Sequence, residues 1–220
     1  MAYTTDNYQT NLAYRLGETA APSDSSTKAI RLSWANDGYL TISRRRYWWW
    51  QQATSTANTN TGATSYSEPS DLKEFIELKI NNIFYDQIPY TSNRNYTGTT
   101  ITVTLPSLRN SFKYYRFGGS YFLIPTDEAD GATHYIKYYK NVSRVTDGGT
   151  FLIPDDYAPA LEAYGEARYW LSITQQAKAA APFAEFEEIV KEMEREQGRR
   201  GTGHPAGFGI KDPSMGFPDY

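Results

Sequence analysis

The sequence predicts an α+β protein. A four-helix bundle is built from the N- and C-terminal segments, a mostly antiparallel β domain is inserted between them, and an extended C-terminal arm follows. Three observations predict this. Near both ends, apolar residues recur at three- and four-residue spacing, the period of a helix with one buried side. The middle holds β-branched and aromatic runs that alternate with period two between Gly and Asn turns. The end is rich in Gly and Pro and has no period. The expected parts are N-terminal bundle helices at 1–50, a β-rich domain at 51–154, a C-terminal helix pair at 155–197 and the arm at 198–220.

Asp6 is placed to cap a short helix carrying Tyr8, Leu12 and Leu16 on one side, with Gly17 as its stop. Ala20-Ala21-Pro22-Ser23 reads as a linker, and Ser25 or Ser26 opens a second helix. Its stripe is Leu32, Ala35, Tyr39 and Ile42. Gly38 interrupts it, as a kink or a close helix contact would. From Gln51 to Ser65 the chain is polar, with a turn at Asn60-Thr61-Gly62. Phe75–Ile80 alternates as a half-buried strand does. Asn81-Asn82 is a tight turn, followed by Ile83-Phe84-Tyr85 and Gln87–Tyr90. Thr99–Leu105, Tyr121–Ile124 and Thr133–Tyr139 are further strands, with a Gly118-Gly119 turn.

After Phe151-Leu152-Ile153-Pro154 the period becomes helical. Asp155 or Asp156 caps a helix with Pro159 in its first turn and Ala160, Tyr164, Ala167 and Leu171 on its apolar side. Ala163 and Gly165 are small enough for another helix to approach. Lys178–Ala181 reads as a connection, and Pro182 as the start of a last helix carrying Phe183, Phe186, Val190 and Met193. That helix is expected to end at Gln197-Gly198. Fully extended, the rest reaches at most roughly 75–80 Å. Phe208, Ile210, Met215, Phe217 and Tyr220 are spaced along it as anchors for a neighbour.

The chain has 220 residues and no cysteine, so disulfides and thiolate metal sites are excluded. Two histidines leave little for an imidazole-based site. No apolar run has the length of a membrane span, and the N-terminus lacks the pattern of a signal peptide. A net charge of −3 argues against a dedicated nucleic-acid binder. Asp155-Asp156 and Glu187-Glu188 are explained by helix N-termini. Neighbouring helical residues also diverge by about 100°, too far to flank one glycosidic bond. No phosphate loop, catalytic centre, cofactor site or metal site emerges.

Arg44-Arg45-Arg46-Tyr47-Trp48-Trp49-Trp50 is the most distinctive stretch. Three adjacent tryptophans cannot all face one small core, so they are a candidate interface. The arginines fit a helix C-terminus, an acidic partner or a channel lining touched by DNA. A carbohydrate-binding module stacking sugars on Trp48–Trp50 is an alternative reading, and the abundance of tyrosine (19) fits either a broad contact surface or a wet sheet.

The order of the segments resembles the head-to-tail adaptor (connector, head-completion) proteins of tailed bacteriophages. The resemblance is carried by Trp48–Leu72 with its Thr59-x-x-Gly62-x-x-x-Tyr66, Pro69 and Asp71-Leu72, then by Tyr121–Pro125, Tyr135–Tyr139 and Phe151–Met193. Glu68 stands before proline where such proteins usually have leucine. The resemblance implies a virion protein at the neck, assembled in the host cytoplasm. It implies a homo-oligomeric ring of dodecameric type attached to the portal protein through the C-terminal arm. A downstream tail or neck protein would dock on it, dsDNA would pass without sequence-specific binding, and no membrane is involved. Another neck or tail component of such a particle is the nearest alternative.

Overall fold

The computed structural model describes residues 2–88, 112–124 and 130–201. The expected strand Thr99–Leu105 and the end of Gln87–Tyr90 lie outside the described residues. The chain divides into two compact units, one of residues 1–42 and 145–220 and the other of 43–144.

The first unit is helical. Helix α1 spans Thr5–Arg15 and is capped by Thr4, whose hydroxyl accepts the Asn7 amide at 3.2 Å. Asp6 therefore lies in the first turn instead of at the cap. Gly17 adopts φ 79° and the Glu18 amide returns to the Ala13 carbonyl at 2.9 Å, which closes the helix as expected. Helix α2 spans Ser25–Arg45. Asp24 sits just before it and accepts the Thr27 amide at 2.7 Å, an N-terminal cap.

Helix α3 spans Pro159–Ser172, after a 3₁₀ turn at Asp155–Tyr157. Neither Asp155 nor Asp156 caps α3; its cap position is Ala158, without a side-chain bond. Leu171, expected on the apolar side, is exposed in the last turn. Helix α4 spans Gln176–Gly201 and packs along α3. It begins earlier than the proline suggested. Ala177, Ala179, Ala180 and Ala181 carry strong helix propensity, and Ala179 is buried. Pro182 thus lies inside the helix, near its start. The helix also continues past Gln197, so positions 198–201 are helical.

Two glycines set how closely these helices approach. A Cβ at Gly165 would stand 2.2 Å from the Tyr8 hydroxyl and 3.3 Å from Leu12, so α1 rests directly on α3. A Cβ at Gly38 would meet the Tyr164 ring at 3.0 Å, the close helix contact foreseen there. Tyr8, Leu12, Tyr39, Phe151, Leu161 and Phe186 are fully or nearly fully enclosed. Arg15 ties the helices at the rim, binding Glu166 of α3 at 2.8 Å and Glu185 of α4 at 2.5 Å. Hydrogen bonding to Glu185 holds its guanidinium pKa above the usual arginine value, against the opposing effect of burial. A short ribbon, with Thr4 bridging Thr150 antiparallel, completes the unit.

Among the described residues, the second unit is a seven-stranded mixed sheet. In chain order its strands are β1 Gln52–Ser55, β2 Tyr66–Ser67, β3 Leu72–Ile80, β4 Ile83–Gln87, β5 Lys113–Phe117, β6 Ser120–Ile124 and β7 His134–Lys140. The spatial order is β1-β7-β3-β4-β5-β6-β2. Every pairing is antiparallel except β4 with β5. Asn81 and Asn82 both have positive φ, as do Gly118 and Gly119, which gives each hairpin the two-residue turn its twist requires. The buried side holds Phe75, Leu78, Ile80, Leu123 and Ile136, closed by Tyr66 and Tyr121. Tyr121 of β6 touches His134 of β7 although three strands lie between them in the order, so the sheet curls on itself.

Substituting Gly165 by Ala should lower stability by roughly 1–3 kcal/mol in urea unfolding, because Tyr8 is enclosed and cannot withdraw. Removing the Tyr8 hydroxyl as well (Tyr8→Phe) should recover part of that loss. Additive losses in the double variant would show that the two positions do not meet.

Candidate functional interface

The segment 44–51 is fixed by one lysine. Lys73 of β3 donates to the carbonyls of Ser43 at 2.6 Å and Arg46 at 2.8 Å, and lies 3.4 Å from the Gln51 Oε1. An ammonium at the end of α2 neutralises the carbonyls left open there. Burial pulls its pKa below the ordinary lysine value. Gln51, wholly buried, accepts the Trp48 amide at 3.2 Å and so turns the chain back into β1.

This clamp decides where the sequence-predicted residues go. Trp48 is fully enclosed, while Trp49 and Trp50 are half-buried. Trp49 meets Trp48 edge-on at 6.2 Å, and Trp50 lies nearly parallel to it at 6.4 Å. The three rings therefore form a packed cluster and not an open platform. Arg44 and Arg45 are exposed and Arg46 is half-buried. Tyr47 is 42% exposed and stacks on Tyr139 of β7 at 5.2 Å. The structure thus brings Arg44, Arg45, Tyr47 and Tyr139 into one neighbourhood. The anchors Phe208, Ile210, Met215, Phe217 and Tyr220 lie outside the described residues.

The outer side of the sheet carries exposed aromatic side chains. Lys79 pairs in register with Phe84 on one side and Tyr135 on the other, so the three form a row across β4, β3 and β7. Phe84 and Tyr135 are each about half exposed, and the Lys79 ammonium stands 5.4 Å from the Phe84 ring. Tyr115 and Phe122 stack at 4.7 Å on the β5–β6 hairpin, and Phe117 near its turn is 58% exposed. Period-two alternation made these strands legible, but which face would stay open depends on how the sheet curls.

Sequence reasoning missed the polar network that holds the curl. The Tyr121 hydroxyl donates to His134 Nδ1 at 2.5 Å, and His134 Nε2 donates to the Asn60 side-chain Oδ1 at 2.5 Å. Asn60 in turn donates to Asp130 at 2.8 Å. The Ala132 amide, then Asn60, hold the Asp130 carboxyl below the usual carboxylate range. Both nitrogens of His134 serve this network, and the ring is fully enclosed. At the other side of the core, Arg116 binds Glu68 at 2.6 Å and lies over the Phe75 ring at 4.9 Å. A histidine at an inward strand position and an arginine two residues after the inward Tyr114 were the available signals.

Among the described residues, no group of three His, Cys, Asp or Glu is placed to hold a metal ion, and no helix is long and apolar enough to cross a membrane. The family model described as "SU10 adaptor protein" matches residues 4–206. No curated protein matches the chain.

Replacing Lys73 by Met should destabilise the protein by about 1.5–3 kcal/mol, since hydrogen bonds to a charged group are lost. It should also shift tryptophan emission to the red as the clamp on 46–51 opens; an unchanged spectrum would contradict that role. For the second unit, Tyr121→Phe should speed amide exchange in β2, β6 and β7 while α1 and α3 keep their protection. Uniform loss of protection across both units would contradict a local role.

Proposed function

Because the chain belongs to the SU10 adaptor protein family, whose members are phage head-to-tail adaptors, we propose that it acts as a ring of copies between portal and tail. The ring is of the dodecameric type, sits at the neck of the virion and is assembled in the host cytoplasm. It continues the DNA channel, and its outer sheet surface receives the next tail or neck protein. Attachment to the portal runs through the C-terminal arm.

The observation that carries this reading is the division of labour along the chain. The two ends of the polypeptide join in one helical unit, while 43–144 form a separate sheet with aromatic side chains left open on its outer side. A protein that links two different partners needs two such surfaces. Residues 202–220 carry Phe208, Ile210, Met215, Phe217 and Tyr220 among glycines and prolines. Such a segment loses entropy on docking, and repetition around a ring offsets that loss by avidity. An acidic chain, net −3, lets DNA pass without holding it. The helical bundle formed by the two ends of the chain would take part in the contacts between neighbouring copies.

The sugar-binding alternative needs exposed, coplanar rings at 48–50. Enclosure of Trp48 leaves at most two half-buried rings for it, so the adaptor reading is preferred.

A chain ending at Gly201 should fold with unchanged melting temperature yet fail to co-sediment with portal rings that capture the full chain. Equal capture of both would contradict attachment through the arm.

A further inference from the structure

The chain's charge is unevenly divided. Residues 43–144 carry 12 of the 22 Lys and Arg but only 8 of the 25 Asp and Glu. The sheet unit is therefore basic and the helical unit strongly acidic, a division hidden by the small net charge. In this unit Tyr47, 42% exposed beside Tyr139 and Lys73, follows the exposed Arg44 and Arg45 in the chain.

The helical unit offers the complement. An open groove of about 550 Å³ is lined by Ala2 and by the run from Thr150 to Asp156. Leu152, 42% exposed, and the exposed Asp155 and Asp156 are among its lining residues, and the exposed Asp147 precedes the run.

We propose that Arg44 and Tyr47 of one copy dock into the groove around Leu152 and Asp156 of a second copy. Tyr47 covers Leu152 and Arg44 faces the carboxylates. This rests on the ring reading above and names its contact. The contact joins two different surfaces, so each copy keeps one free side for the next, as closure into a ring demands. The alternative occupant of the basic surface is the phosphate backbone of DNA, which does not account for the acidic groove.

The test is mass photometry of the full chain with and without its portal, at low and high salt. The wild type should form closed rings at about 0.1 M salt and fall apart toward 1 M, where screening is nearly complete. Arg44→Glu and Asp156→Lys should each weaken assembly about tenfold or more, and combining them should restore it. Leu152→Arg, at an exposed position, should block assembly while leaving the circular dichroism spectrum unchanged. Rings that persist in every variant would overturn this contact and leave the ring reading standing. A wild type that stays monomeric even with its portal would overturn both. Unchanged rings, with duplex DNA bound by the wild type and released by Arg44→Glu, would assign the surface to nucleic acid instead.

Discussion

The contact of Tyr8 with Gly165 is the constraint on which the rest depends. It joins residues from opposite ends of the chain, and it exists only because position 165 has no side chain. Through it α1 lies flat on α3, and Arg15 comes within reach of Glu166 and Glu185. Closing a loop of this length carries a large entropic cost. The close packing of α1 on α3, with Phe151, Tyr39 and Leu12 around it, is what offsets that cost. With both ends held in the helical unit, residues 43–144 are an insertion tethered at its two ends.

The insertion solves a different problem. A seven-stranded sheet has two faces, and this one encloses only its inner face by curling. The curl is fixed where Tyr121, His134 and Asn60 meet, with Asp130 orienting the asparagine. A network with its members bonded to one another specifies a single arrangement, which an apolar seam would not. The outer face is left with Phe84, Tyr135 and Phe117, which a solitary protein would more economically cover. An adaptor gains by leaving such a face open for the protein it receives.

Much of this was legible in the residues, and the failures have physical causes. Gly17, the Asn81-Asn82 pair and the Gly118-Gly119 pair marked their turns because each needs positive φ. The boundary between α3 and α4 was misplaced because its left-handed residue is Thr174 (φ 60°), a β-branched side chain that gives no turn signal. Pro182 was a misleading start: the alanines before it extend the helix across the proline. The Trp48–Trp50 run was correctly the oddest feature, but its geometry depends on Lys73 and Gln51, which only the tertiary fold brings there. The His134 network joins residues far apart in sequence, and no local period announces it.

The account holds that this chain completes its packing only among its own copies and its phage partners. Electron microscopy of the protein mixed with its portal tests that most directly. The account predicts a closed ring of copies seated on one end of the portal. Free portal rings beside monodisperse single chains would contradict it.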